Sequence, residues 1–168
     1  MEQMSEADYR RMGIEADAVV RLGMLLMGAG TSGYRVMRAM KRAARALGFD
    51  KLDLVVGIVQ ITSTFHRGNT FRTVISRQHN PAVDASRIEA LEDLAHNRLY
   101  PGITAEELEA MLDDVEYRVR ARWNRWYLAL AAAVACAAFA VLNFFPPTAV
   151  AVVAVAAAAG QLTRGELH

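Results

Sequence analysis

Apolar residues recur at helical spacing in the first part of the chain. Between residues 5 and 27 they return every three or four positions, and Asp17 and Arg21 lie a helical turn apart on another side. The apolar positions are Ile14, Ala18, Leu22 and Leu25. This period is typical of an amphipathic helix, so we predict one over residues 5–27.

A second amphipathic helix is predicted after the glycine-rich stretch "GAGTSG" at residues 28–33. Either Thr31 or Ser32 can cap its start, and Gly48 ends it. Its apolar stripe consists of Val36, Met40, Ala43 and Leu47. Its outer side carries Arg35, Arg38, Lys41, Arg42 and Arg45. The second helix therefore has a basic face.

Residues 52–77 change to β-branched and alternating side chains. Residues 52–56 read as one strand, residues 59–66 alternate between apolar and polar positions, and the alternation resumes after Gly68-Asn69. A two-residue turn with a leading glycine suits a type II′ hairpin. The alternating positions are Val59, Ile61, Ser63 and Phe65, then Phe71, Thr73 and Ile75. We predict a small antiparallel sheet.

Two more helices are predicted after a loop at Asn80-Pro81. The first covers residues 86–99 and ends at Tyr100-Pro101-Gly102, and its apolar face holds Ile88, Leu91 and Ala95. The second begins with the capping box Thr104-x-x-Glu107. It buries Leu108, Met111, Leu112 and Val115.

The apolar excess of the chain lies near its end. Hydrophobic residues make up 54% of the sequence, and after Trp126 the only charged residues are Arg164 and Glu166. Residues 126–145, "WYLALAAAVACAAFAVLNFF", could span about 30 Å as a helix, which matches a bilayer core. The flanking aromatic residues are Trp123, Trp126, Tyr127, Phe144 and Phe145. We predict a transmembrane helix, because a soluble core helix would need more partners than the remaining chain supplies.

A second apolar run follows the break at Pro146-Pro147-Thr148. Residues 149–162 form either a tilted partner helix or a span whose end is missing, and we set the two spans at about 126–145 and 148–162. Small side chains allow helices to approach closely, so further membrane helices are expected as partners.

Arginines predict the orientation of this hairpin. Arg118, Arg120, Arg122 and Arg125 precede the first span, whereas the turn between the spans has no charge. The N-terminal sequence "MEQMSEADYRRMG" also lacks the apolar region of a secretory signal. We therefore expect an α+β cytoplasmic domain over residues 1–124, followed by a transmembrane helical hairpin over residues 125–164 in the inner or plasma membrane.

"GAGTSG" also fits the pattern G-x-G-x-x-G, which cradles a dinucleotide pyrophosphate when it follows a buried strand. The preceding segment is helical in pattern, and Asp50 stands before the next apolar run rather than after it. We interpret the stretch as a corner between two helices. Gly28 or Gly30 should then have a positive φ or touch a neighbouring backbone, and no strand should precede them.

Charge is divided unevenly between two stretches. Residues 34–77 hold nine basic residues and two acidic ones, whereas residues 84–116 hold ten acidic residues and two basic ones. The favoured interpretation is two solvated faces that attract each other, and the alternative is contact of the basic helix with anionic lipid headgroups. A net charge of +1 argues against a general nucleic-acid binder.

Candidate chemistry is sparse. The single Cys136 excludes an intramolecular disulfide and a thiolate zinc site, and His66, His79 and His96 lack metal-ligand spacing. Asp113 and Asp114 point to different sides of a helix, and Asn143, near the end of the first span, is expected to face headgroups. We expect no catalytic residue, metal or cofactor.

The order of these parts resembles the threonine/serine exporter family, over about residues 10–164. The resemblance is carried by four segments. They are "LGMLLMGAGTSGYRVMRAMKRAARALGF", "VVGIVQITSTFHRGNTFRTVISR", "LEAMLDDVEYRVRARWNRW" and "AAFAVLNFF". The family has a Gly-x-x-Thr-x-Arg-Val-like run, which Gly28, Thr31, Arg35 and Val36 match with one or two extra residues between.

The resemblance implies a cytoplasmic domain followed by a bundle of membrane helices that exports small hydroxy amino acids, or dicarboxylates in divided two-subunit relatives. The family continues with further helices, so the chain is expected to be an N-terminal part or a subunit. The alternatives are a membrane-tethered interaction or sensing module and, more remotely, a hydrolase-like domain that uses His66 or the acidic helix.

Overall fold

The computed structural model describes residues 5–78, 83–121 and 124–164. The chain divides into two compact units, Met1–Val119 and Arg120–His168. Six residues named above, His79, Asn80, Pro81, Arg122, Trp123 and Glu166, lie outside the described residues.

The described part of the chain contains six α-helices and one three-stranded antiparallel sheet, as the hydropathy pattern predicts. The first unit holds α1 (Glu6–Gly28), α2 (Gly33–Ala46), β1 (Lys51–Val56), β2 (Gln60–Arg67), β3 (Thr70–Arg77), α3 (Ala85–Asp93) and most of α4 (Ala105–Ala121). The second holds α5 (Arg125–Leu142) and α6 (Pro147–Arg164).

Helix α1 is the central helix of the first unit. It contacts α2, α3 and two strands, so it buries more than one stripe. The predicted stripe is therefore wrong at Ile14, which is 57% exposed, although Ala18 and Leu22 are buried. A Cβ on Gly23 would overlap the Sδ of Met40, which shows how closely α1 and α2 pack.

The sheet has strand order β1-β2-β3 and buries one face. Ile61, Ser63 and Phe65 of β2 are fully buried, whereas Val59 precedes the strand and is half exposed. Phe71 and Ile75 lie on the opposite, outer face and are more than 60% exposed. The alternation therefore predicts the strands correctly, but the two hairpin strands place their large apolar residues on different faces.

The hairpin turn forms at the predicted glycine. Arg67 pairs with Thr70 across the turn, and Gly68 has a φ of 57°. No positive φ occurs at Asn69, so the turn has the φ pattern of a type II′ turn.

The two helices after the sheet differ in how closely they follow the prediction. The helix expected over residues 86–99 is α3 followed by a π-helical turn, Leu94–Arg98. Helix α4 begins with the predicted capping box: the Glu107 N–H donates to the Thr104 hydroxyl at 3.2 Å, and the Thr104 N–H donates to the Glu107 carboxylate at 2.9 Å.

The second unit is a pair of helices joined by a short turn. Helix α5 ends at Leu142, three residues before the predicted end of the span. The chain reverses there because Phe144 takes a φ of 60° and the Phe145 N–H donates to the Ala140 carbonyl at 3.1 Å. Helix α6 begins at Pro147, where proline at the first helical position is well tolerated.

Alanines form the contact between α5 and α6. Ala129 and Ala140 are buried, whereas Leu130, Val134 and Phe139 remain more than half exposed. Among the described residues, α5 alone is long and apolar enough to cross a membrane, and the apolar part of α6, Pro147–Thr163, is shorter.

Candidate functional site

The "GAGTSG" stretch is a corner between α1 and α2. Gly28 is the last residue of α1, and Gly30 has a φ of 82°. The Gly30 N–H donates to the Met27 carbonyl at 3.0 Å, and the Thr31 N–H reaches the Leu26 carbonyl at 3.4 Å, which together close the helix end. A helix rather than a strand precedes the glycines, so the helix-corner prediction is confirmed and the dinucleotide alternative is excluded.

The start of α2 differs from the capping prediction. Ser32 occupies the N-cap position, but its side chain makes no capping hydrogen bond. The Ser32 carbonyl instead accepts from the N–H groups of Arg35 at 2.9 Å and Val36 at 3.2 Å.

The positions Gly28, Arg35 and Val36, which match the Gly-x-x-Thr-x-Arg-Val-like run, each contact a different part of the first unit. Gly28 is buried against Gln78, whose Nε2 would lie 2.6 Å from an added Cβ. Val36 is fully buried in the core. Arg35 donates to the Glu92 carboxylate at 3.2 Å and so joins α2 to α3.

An open groove of about 440 Å³ lies beside the corner. Thr31, the fourth motif position, lines this groove together with Val36. The other lining residues are Met27, Gly30, Gly33, Val56, Gly57 and Ile58. The lining is mostly apolar, with the Thr31 hydroxyl as its one polar side chain.

A buried ion pair ties the far end of α2 to α1 and the sheet. Arg67 of β2 donates to the Glu15 carboxylate at 2.6 Å, and the Glu15 side chain is 10% exposed. Arg67 also donates to the carbonyls of Leu47 at 2.8 Å and Gly48 at 3.3 Å, and its guanidinium lies 4.4 Å from the centre of the Phe49 ring. The sequence contains a signal for this cluster, since Glu15 stands between apolar residues of a helix that is predicted to pack against the core, but helical spacing alone does not identify its partner.

A second cluster joins α1 to α4. The Arg21 guanidinium donates to three carboxylates of α4. It contacts Glu109, and it lies 2.5 Å from Asp113 and 2.8 Å from Glu116. Burial by itself would lower the pKa of Arg21, but the hydrogen bonds to the three carboxylates outweigh it and raise that pKa. Arg21 therefore stays charged and holds α4, rather than pairing with Asp17.

The attraction between the basic and acidic stretches is limited to one ion pair among the described residues, Arg35 with Glu92. The acidic residues of α4 bind Arg21, Arg98 and Arg118 instead. The basic face of α2 is thus left mostly without acidic partners.

His66, the histidine named in the hydrolase alternative, lies on β2 beside two charged residues of β1. His66 Nε2 lies 3.2 Å from Asp53 Oδ2 on the outer face of the sheet, and Asp53 also pairs with Lys51 at 2.7 Å. The Lys51 hydrogen bond, together with the charges of Lys51 and His66, lowers the pKa of Asp53. Asp53 is 52% exposed, so this pair lacks the enclosed pocket that the hydrolase hypothesis requires.

Among the described residues there is no cluster that could hold a metal ion.

Asn143 belongs to the second unit. It is the C-cap of α5, and its side-chain amide donates to the Phe139 carbonyl at 2.8 Å. The residue closes the helix end next to Phe144, which is 95% exposed.

Comparison with known proteins adds one finding. A family model described as "Putative threonine/serine exporter" matches residues 17–168 of this chain. No curated protein and no solved structure matches it.

Proposed function

The chain belongs to the threonine/serine exporter family, and on that premise we propose that it is a subunit or N-terminal part of a membrane exporter. Its cargo would be threonine and serine, or related small carboxylates. The match over residues 17–168 carries this proposal, because it covers both units. The family is one of transporters, and an enzymatic role is not proposed.

The surface of the second unit supports placement in a bilayer. Helix α5 has a mean hydropathy of 1.8, and only 11% of that span is buried within the chain. Phe139, Val141 and Leu142 are each more than half exposed. A surface of this kind in water would cost free energy roughly in proportion to its apolar area, so it needs lipid or further helices.

We propose that α5 and α6 both cross the membrane. Each has 18 residues, which corresponds to about 27 Å of helix and is close to the thickness of a hydrocarbon core. Arg118 and Arg125 precede the apolar part of α5, whereas the turn after Leu142 is uncharged. The positive-inside rule then favours a cytoplasmic first unit.

The groove beside the corner does not suit the cargo. An amino acid carries an ammonium and a carboxylate group, and taking these out of water requires charged or hydrogen-bonding partners. The groove offers the Thr31 hydroxyl and apolar side chains. We therefore propose that Gly28, Thr31, Arg35 and Val36 shape the first unit, that Asn143 ends the first span, and that the cargo passes between membrane helices, including partner helices outside α5 and α6.

Flux through reconstituted vesicles tests the proposal. The full chain is placed in vesicles with and without a candidate partner subunit, and efflux of labelled threonine, serine and succinate is followed under an imposed gradient. We expect gradient-driven flux of at least one cargo when the partner is present. Protein-free vesicles and vesicles treated to collapse the gradient serve as controls.

A tethered interaction module is the second candidate, favoured by the outer face of the sheet. Val55, Phe71 and Ile75 are each more than 60% exposed on that face, which is typical of a protein contact surface. Absence of flux in both preparations, with the chain correctly folded and membrane-bound, would favour this candidate over export.

A further inference from the structure

Outside α2, the described cations of the first unit have partner groups. Ion pairs, hydrogen bonds or aromatic rings hold each of them. These residues are Arg10, Arg11, Arg21, Lys51, Arg67, Arg72, Arg77, Arg87, Arg98 and Arg118. The cations of α2 other than Arg35 differ from these, because they have no acidic partner among the described residues.

Four cations form a stripe along α2, which we call the basic stripe: Arg38, Lys41, Arg42 and Arg45. Their spacing of three, one and three residues puts them on one side of the helix. Arg38 lies 5.9 Å from the centre of the Tyr34 ring. Among the residues that the structure describes, no carboxylate lies within 4 Å of the other three.

Two shallow grooves flank the basic stripe. One, of about 180 Å³, is lined by Lys41 and Arg45 on the α2 side and by β1 residues on the other. The second, of about 250 Å³, is lined by Arg42 and Arg45 together with His96 and Tyr100. Arg45 therefore borders both grooves, and the lining of the second groove contains no carboxylate.

The lining of the first groove also includes two acidic residues. Asp50 accepts from the Gly68 N–H at 2.7 Å, and Asp53 pairs with Lys51 and His66. Among the described residues, neither carboxylate forms an ion pair with a cation of the basic stripe. The partial negative charge at the end of α2 stabilises a cation in the last turn, which accounts for Arg45 but not for Lys41 or Arg42.

We propose that the basic stripe binds the phosphate groups of anionic phospholipids at the membrane surface that faces the first unit. Each cation near such a surface contributes attraction, and guanidinium groups bind phosphate oxygens in a bidentate manner. Residues 122–124 alone separate α4 from α5, so the first unit is tethered to any membrane that holds α5. The proposal rests on the membrane placement of α5 and α6, and not on which cargo is exported.

The chain offers its own reporters for a test. Lys41 lies in the basic stripe and Lys51 is the sole other lysine, while Cys136 of α5 is the sole cysteine. The full chain is reconstituted in nanodiscs of phosphatidylcholine with increasing fractions of phosphatidylglycerol. The rate of Lys41 acylation, read by peptide mass spectrometry, reports contact of the stripe, and alkylation of Cys136 in the same sample reports membrane placement.

We expect phosphatidylglycerol to slow Lys41 acylation several-fold relative to phosphatidylcholine alone, and high salt to reverse the effect. The double variant R42Q/R45Q should lose most of this protection while it keeps the reporter. The matched variant R10Q/R11Q removes the same charge from α1 and should keep the protection.

Four results would overturn the proposal. Equal protection by inorganic phosphate in phosphatidylcholine nanodiscs would assign the stripe to a soluble anion. Protection by a short RNA at lower concentration than lipid would assign it to nucleic acid. Unchanged acylation with phosphatidylglycerol, or equal loss in R10Q/R11Q, would show that the stripe makes no specific lipid contact. A Cys136 that reacts freely would instead contradict the membrane placement.

Discussion

Gly30 and Gly33 belong to the same short motif but carry different constraints. Gly30 has a φ of 82°, which side chains other than glycine adopt at a cost, whereas a Cβ on Gly33 would make an ordinary contact with Val56 at 3.4 Å. We expect Gly30→Ala to lower the free energy of unfolding by about 1 kcal/mol. Gly33→Ala should change it by less than about 0.5 kcal/mol.

Chemical unfolding of the full chain in detergent, followed by circular dichroism, measures both variants. Equal destabilisation by the two substitutions would contradict the role of Gly30 as the left-handed residue that ends α1.

The capping box of α4 predicts a pH dependence. Two hydrogen bonds lower the pKa of Glu107 below its ordinary value of 4.5. The larger effect comes from the Thr104 N–H, and the smaller one from the Tyr100 hydroxyl. Because the folded-state pKa is depressed, the stabilisation is present above about pH 4.5 and is lost as the pH falls through the folded-state pKa. Glu107→Gln should therefore lower the thermal midpoint at pH 7, and the difference from wild type should shrink in acid.

Glu106→Gln is the matched control, since it removes a neighbouring charge from the same helical turn but leaves the box intact. If the thermal midpoints of Glu107→Gln and wild type differ by the same amount at pH 7 and in acid, the carboxylate charge does not contribute to stability.

Residue-level features could be predicted where both partners are close in sequence. Thr104 and Glu107 are three residues apart, and Gly30 ends its own helix, so each is visible in the local pattern. The exposure of Ile14 depends on which distant segments surround α1, and the early end of α5 depends on a left-handed Phe144. A phenylalanine gives no local signal for that conformation.

At the scale of elements, Arg67 holds three of them together. Its guanidinium satisfies Glu15 of α1 and two carbonyls at the end of α2. We expect Arg67→Met to lower the free energy of unfolding by about 2–4 kcal/mol, because it leaves a nearly buried carboxylate with Arg11 alone as a partner.

Arg77→Met in the adjacent strand is the control. Arg77 is exposed and donates to Gln60, so its loss should cost less than about 1 kcal/mol. The double variant Glu15→Gln/Arg67→Met should be more stable than Arg67→Met, since it removes the uncompensated charge. If the single and double variants unfold at the same denaturant concentration, the ion pair is not what joins these elements.

The elements themselves could be predicted from the hydropathy period, but not the contacts between them. Helical and alternating patterns reveal α1 to α4 and the three strands, because the period reflects burial on one side. The partners of Arg21 lie about ninety residues away in α4. Asp17 is one helical turn from Arg21 in the sequence, but the packed structure pairs Arg21 with three carboxylates of α4.

At the scale of the whole molecule, the two units differ in how they bury apolar surface. The first unit has a continuous core formed by its helices and the sheet. The second buries mainly alanine between α5 and α6 and leaves its larger apolar side chains exposed. The uncharged run after Trp126 predicts this difference from sequence, because such a run can be stable only in lipid or among further helices.

Export, orientation and headgroup contact all depend on α5 and α6 lying in a bilayer, and Cys136 tests this in the wild-type chain. Its side chain is exposed on α5, so a bilayer is what should shield it from a water-soluble maleimide. As a reference, Ser32→Cys in a Cys136→Ala background places a thiol on the exposed corner, where the native side chain makes no capping bond. In inside-out native membranes we predict rapid labelling of the reference, and labelling of Cys136 only after denaturation in detergent. Labelling of Cys136 in intact membranes as fast as the reference would place α5 in water and contradict the account.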